Sequence, residues 1–413
     1  MSEMRLPLPL PLSLRRGCAL PPSSLGRDRN RALALLGFRC RASLITDSAS
    51  FQVGRLLGSY GFINVTTTNF SRMGTDPWIE TGPFNFKAQD VGEGGVNIRL
   101  YEGRVAVQGP LRGTPCVFKV YPGRRAGGIE SDMMAANELN THAFLQSCPG
   151  GFDQNLVLLI GGFETSTGEQ WLAFRDDGSY SAADYAKASS EKLTSSSSNG
   201  NLLTWNYFQR EHVIKLKQYF IMKLLRGALS GLAFMHKHEQ LHQSLGPSSL
   251  IVNTLNEKDG GYLFPRLRDL AFSVDIRYYK LEEGHGLLSQ ELWRRAAVAG
   301  VVSLFDKRAF GLADDIYAAG LLLAYLAFVP FCESGTVDSL SLQRLLETTF
   351  QLDISATREY CLADDRLLEA VKFLDLGDRA GWDLLQRMLD PDYRKRPCAE
   401  AVLNHRFLNG SIF

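Results

Sequence analysis

His242-Gln-Ser-Leu-Gly-Pro-Ser-Ser-Leu-Ile-Val-Asn253 is the stretch whose reading decides the fold. It follows a strongly helical segment, 212–237, whose end reads Gly231-Leu-Ala-Phe-Met-His-Lys-His238. A second block, Leu267-Arg-Asp-Leu-Ala-Phe-Ser273, places Asp269 16 residues beyond Asn253. Downstream the pattern stays helical over 314–328, 339–346, 367–374, 381–389 and 399–407. Upstream it is different. Asn97-Ile-Arg-Leu-Tyr101, Arg104-Val-Ala-Val-Gln108 and Pro115-Cys-Val-Phe-Lys-Val-Tyr121 have period-two character and are separated by glycine-rich turns, as strands are. A helix is predicted over 131–147, then strands over 154–160 and 170–174. The order is a small strand-rich lobe with one prominent helix, then a larger helical lobe. That is an α+β, two-lobed architecture.

Other stretches have no clear period. Residues 45–90 read as loops with room for a short strand or helix, and 189–201, with its Ser195–Ser198 run, as a low-complexity loop. Val91-Gly-Glu-Gly-Gly-Val-Asn97 offers Gly92 and Gly94 for a loop whose backbone N–H groups approach phosphates; a hairpin turn has the same composition. No P-loop pattern exists and no helix opens at these glycines, which excludes Walker and dinucleotide-binding sites. Lys119 stands at the centre of an apolar strand. Glu138, 19 residues on, stands on a largely apolar helix. A buried ammonium needs a carboxylate, so each makes the other intelligible. The seven histidines form no HExxH or Ser-His-Asp arrangement, and His236 and His238 fall on different faces of a helix.

The composition sets the bounds. The 413 residues are 45 % hydrophobic and 22 % charged, enough to bury a sizeable core. Forty-five Lys and Arg against 44 Asp and Glu leave a formal net charge of +1, which argues against a nucleic-acid binder. The sum conceals two unlike parts. Residues 1–41 hold eight Arg, no Lys and two acids, so the remainder carries five net negative charges. Arg-rich, Ser-bearing and acid-poor is the signature of an organellar transit peptide, to chloroplast or mitochondrion. The seven scattered cysteines, odd in number and without CxxC spacing, favour a reducing compartment and oppose a disulfide scaffold or zinc site. The longest strongly apolar run, 318–328, is about half of the roughly 20 residues that span a bilayer.

With these blocks in place, the chain resembles the protein-kinase superfamily. His242 to Asn253 resembles the catalytic loop HRDLKPxNI, and Asp269-Leu-Ala271 resembles DFG. Asp314-Asp-Ile-Tyr-Ala-Ala-Gly320 is similar to the buried-helix motif D-x-[WY]-[SA]-x-G. Met388-Leu-Asp-Pro to Asn404-His-Arg-Phe407 is similar to the closing segment, in which DP…RP precedes a helix ending H-x-F. The similarity runs over about 85–410, with its motifs in family order. It implies a leader over 1–45, an extension over 46–84, a sheet lobe over 85–178, and a helical lobe over 179–410 carrying the Ser-rich insert 189–201. It further implies ATP with Mg²⁺ as cofactor, Gly92 and Gly94 over the phosphates, Lys119 paired with Glu138 and reaching the α/β-phosphates, and Asp269 as metal ligand. His242 then orders the DFG-like segment and Asp315 holds the catalytic-loop backbone, while Asp314 is expected to be exposed.

The resemblance breaks where the chemistry lies. The family's catalytic-loop Asp, the Lys two residues later and the Asn are here Ser244, Gly246 and Ser249. A hydroxyl is not ionised near neutral pH, glycine has no charge, and Ser is a poorer metal ligand than an amide. The framework around them (His242, Leu245, Pro247, Leu250, Ile251, Val252) is kept. No APE motif is recognisable near Val301-Val-Ser-Leu304, which leaves Arg396 without its usual Glu unless Asp306 or another acid substitutes. The expected function is a catalytically impaired pseudokinase, a regulatory or scaffold module that binds ATP and a protein partner. The alternatives are a divergent active Ser/Thr kinase in which Asp275 or Asp269 compensates, and a scaffold that uses no nucleotide. For a kinase-like chain with this leader, a plant origin and chloroplast delivery are preferred to the mitochondrion.

Overall fold

The computed structural model describes residues 44–62, 91–92, 96–149, 151–198, 207–284 and 286–409. The transit-peptide reading, Gly94 and the end of the Ser-rich insert lie outside the described residues. The small lobe is built on one antiparallel sheet of six strands: β1 (Phe51–Phe62), β2 (Val91–Gly92), β3 (Asn97–Val105), β4 (Pro115–Tyr121), β5 (Leu159–Glu164) and β6 (Gln170–Arg175). Their spatial order is β2-β1-β3-β4-β6-β5. Alternation along β4 sorts its side chains. Cys116, Phe118 and Val120 enter one apolar cluster with Phe51, Val105 and Ile160. Tyr121 enters a second cluster with Ile98, Met134, Leu172 and Phe174. Lys119 shares the Tyr121 face, which α1 (Arg124–Ser147) covers. The helix begins earlier than the predicted 131 and kinks at Gly128, whose φ of +67° suits glycine alone.

Two expectations are corrected here. Residues 51–62, read as part of an extension outside the sheet lobe, are its longest strand, paired along β3 from Phe51↔Val105 to Gly61↔Asn97. Register shifts between Val53 and Leu56 and between Leu56 and Gly58 break the period-two pattern that would have revealed it. Residues 189–198, read as a loop, are helical and close α2 (Ala182–Ser198). Their serines are structural: Ser189 donates to Pro330 O (3.1 Å) and Ser190 to Cys332 O (2.8 Å).

Short strands carry the motif-bearing loops: β7 (Tyr180–Ser181), β8 (Gln240–Leu241), β9 (Leu250–Val252), β10 (Arg266–Leu267) and β11 (Val274–Asp275). The large lobe winds around α3 (Tyr207–Lys237) and, after α4 (Tyr278–Glu282) and α5 (Gln290–Val298), around α6 (Leu304–Phe328). Then follow α7 (Ser339–Arg344), α8 (Ile354–Leu362), α9 (Leu368–Leu374), α10 (Leu376–Met388) and α11 (Ala399–Leu403). Phe220, Leu224 and Leu232 of α3 share one core with Ile316, Leu323 and Phe328 of α6, and with Phe373, Leu385 and Phe407. By length and composition α6 is apolar enough to cross a bilayer, but 78 % of its most apolar window is buried inside the protein. Core packing accounts for its hydropathy. The five described cysteines are all free.

Asp314 is buried, against expectation, because Arg295 of α5 reaches its carboxylate at 2.9 Å. Asp306 does not substitute for the missing Glu; it closes the N-terminal cap of α6 with Ser303. Arg396 instead donates to Asp390 O (2.8 Å) and Ala313 O (3.1 Å) and lies 4.6 Å from the centre of the Tyr317 ring. Carbonyls and an aromatic face thus hold the guanidinium.

Candidate functional site

Period two on β4 aims Lys119 at α1, and on α1 the residue that meets it is Glu138. The ammonium lies 2.7 Å from Oε2 and 2.9 Å from Oε1 of Glu138, with both side chains buried. Asp269, from the loop after β10, joins them at 2.8 Å from Lys119. Three residues separated by up to 150 positions are thus brought together. Glu138 also accepts from the Tyr121 hydroxyl and from Leu270 N (3.2 Å), which ties α1 to the loop. Asn137 adds two bonds, to Ala271 O and Ser273 O, each 2.8 Å.

Asp269 has left-handed backbone angles (φ +68°, ψ +55°), which Asp tolerates better than most residues. Both of its oxygens are engaged. Oδ1 takes the Lys119 ammonium and the Tyr60 hydroxyl (2.7 Å), and Oδ2 faces the Arg268 guanidinium at 3.1 Å. Burial alone would raise this carboxyl, but the Lys119 and Arg268 cations and the bonds from Lys119 and Tyr60 outweigh it, bringing it down to about 2. For Lys119, burial works against the charged form, yet the Asp269 and Glu138 carboxylates raise it well above its ordinary value. Four formal charges, two of each sign, form one buried network.

Tyr60 is the residue that the sequence reading missed. It stands on β1 in Gly58-Ser-Tyr-Gly61, and its ring lies near both Lys119 and Arg268, at 5.7 and 5.5 Å. Glycine spacing around an aromatic residue was the available signal; the broken alternation of β1 hid it. Gly92 is a strand residue paired with Gly61 of β1. A Cβ on Gly58 would meet no atom within 4 Å, so packing against the described residues does not demand glycine there.

The three altered positions have their polar groups spent locally. Ser244 is buried, and its hydroxyl donates to Asp269 O at 2.5 Å. The Ser249 hydroxyl forms a closed ring with Gly246, accepting from its N–H (2.9 Å) and donating to its carbonyl (2.8 Å). His242 bonds Arg268 O through Nε2 at 3.1 Å, and Asp315 accepts from the N–H groups of His242 and Gln243 at 2.7 and 2.9 Å. Asp275, a candidate replacement base, is gripped by Arg277 on both oxygens, at 2.9 and 3.0 Å from Nε.

This donor set does not fit the family's divalent cation. Magnesium asks for near-octahedral oxygen ligands at about 2.1 Å, one or two of them carboxylates. Here Asp269, the metal ligand that the resemblance implies, is engaged by two cations and a hydroxyl, and Ser249, at the second implied ligand position, is closed on the Gly246 backbone. Among the described residues no group of three His, Cys, Asp or Glu could hold a metal ion.

No family model matches the chain. Among solved structures it is similar to the crystal structure of a Stt7 homolog from Micromonas algae soaked with ATP, with TM-score 0.53 and 18 % identity. The match covers 96 % of this chain and 98 % of that one. The chain has the protein kinase-like fold. In that frame, α1 is the small-lobe helix that delivers the carboxylate to the strand lysine, and the Asp269 loop lies beneath it.

Proposed function

We propose that this kinase-like protein is a pseudokinase: it binds ATP between Lys119 and the glycines of β1, and passes the bound state to a protein partner without transferring phosphate. The observation that carries the reading is the Ser244 hydroxyl, which stands where a base would stand and gives its proton to a main-chain carbonyl. A group that is neutral, buried and already donating has no basicity to offer a substrate hydroxyl. Gly246 adds no charge for the γ-phosphate, Arg277 occupies Asp275, and Lys119, Tyr60 and Arg268 occupy Asp269, the other substitute. The kept Lys119–Glu138 pair supports nucleotide binding, as does the ATP soak of the similar structure.

Binding would act through α1. Lys119, Glu138, Asn137 and Asp269 couple the strand, the helix and the loop, so a ligand that prefers one arrangement shifts the population toward it. The arginine-rich leader supports delivery to the chloroplast. A thermal shift with ATP tests the nucleotide reading, since saturation at 100 times Kd stabilises by about 2.7 kcal/mol. A rise in melting temperature supports it. No shift at millimolar ATP would leave a nucleotide-free scaffold.

A further inference from the structure

We propose that the site holds the phosphates of its nucleotide directly on Arg268 and Lys119, without a divalent cation. The proposal rests on the nucleotide-binding reading above and specifies what neutralises the phosphates. Arg268 immediately precedes Asp269, where its guanidinium occupies the flank of the carboxylate that a metal would need. Its Nε donates to Ser248 O at 3.2 Å. Nη1 and Nη2 hydrogen-bond to no described residue, and the side chain is 25 % exposed, beside the Tyr60 ring. That leaves a planar pair of donors beside the Tyr60 ring of β1, the geometry in which arginine binds phosphate oxygens two at a time.

A metal would meet the opposite conditions. To ligate Asp269 Oδ1 it must displace the Lys119 ammonium and the Tyr60 hydroxyl; at Oδ2 it must sit beside a guanidinium 3.1 Å from the same atom. Adding positive charge between two fixed cations is unfavourable, while an anion placed there gains from both. Asp269 then has a new role. It fixes the two cations in place and contributes negative charge that the phosphates would otherwise not meet.

Titration of the full chain with the non-hydrolysable analogue AMP-PNP, in millimolar EDTA and again in millimolar Mg²⁺ or Mn²⁺, tests this. The expected Kd values agree within about threefold across the three buffers. Arg268→Ala is expected to weaken binding in EDTA by about tenfold or more, the loss of a charge-assisted pair of bonds. Arg268→Lys, which keeps the charge but loses the planar fork, is expected to fall between the native chain and Arg268→Ala, with circular dichroism confirming the fold of both variants. Binding that appears only with Mg²⁺ or Mn²⁺ overturns the proposal and leaves the nucleotide reading standing. The same holds for an Arg268→Ala variant with unchanged Kd. Absence of binding in every buffer overturns the nucleotide reading, and this proposal with it.

Discussion

At Lys119 the constraint is mutual: one ammonium holds two buried carboxylates, Glu138 and Asp269, that cannot be left alone. Lys119→Met should therefore cost about 3–5 kcal/mol of folding stability, read from urea denaturation, because breaking a buried ion pair strands the partners' charge. His142 gives a pH dependence. It is fully buried on α1, packs edge-on against Phe174, and neither ring nitrogen has a hydrogen-bond partner among the described residues. Burial first, then the nearby Lys119 charge, lower its pKa to about 3. Unfolded His titrates near 6.5, so below that pH the unfolded chain takes up a proton that the folded one refuses. The stability tied to this group is whole above pH 6.5 and drains as pH falls toward 3, with a slope approaching about 1.4 kcal/mol per pH unit. Denaturation curves across this range should show His142→Leu losing that slope; an unchanged slope would refute the assignment. The Lys119–Glu138 pairing was legible through the resemblance and through the need of a buried ammonium for a carboxylate, whereas the Asp269 contact with Lys119 was not stated by either. The partner that Asp269 acquires from β1, Tyr60, was not legible, since nothing local in the chain announces a contact across 209 positions.

Elements were legible where periodicity was clean and illegible where it was broken. The apolar runs of α3 and α6 and the alternation of β4 announced themselves. β1 did not, because two register shifts destroy its alternation and leave Leu56 and Leu57 on the surface. The consequence can be tested by deletion. A chain starting at residue 85 lacks β1, uncovers the β3 edge and removes Phe51 from its cluster with Phe118 and Val105. It should aggregate or unfold without cooperativity, whereas a chain starting at residue 44 should keep the native melting transition. The serines of α2 misled for a different reason: their composition reads as loop, but buried hydroxyls that bond to Pro330 O and Cys332 O serve a helix well. Ser190→Ala should lower stability by about 1 kcal/mol in thermal or urea unfolding.

For the whole molecule, the framework and the chemistry have been treated differently. His242, Asp315 and Arg396 are held by bonds to backbone carbonyls and N–H groups around the α3–α6 core. Ser244, Gly246 and Ser249, the positions to which the resemblance assigns a base, a γ-phosphate cation and a metal ligand, are closed on their neighbours. A fold kept and a chemistry withdrawn is the central claim, and a phosphotransfer measurement tests it most directly. The purified protein is incubated with γ-labelled ATP, generic protein substrates, and either Mg²⁺ or Mn²⁺, beside a Lys119→Arg variant that keeps the charge but not the reach. The account predicts no transferred label above background for either protein. Robust labelling by the native chain that disappears in Lys119→Arg would contradict it.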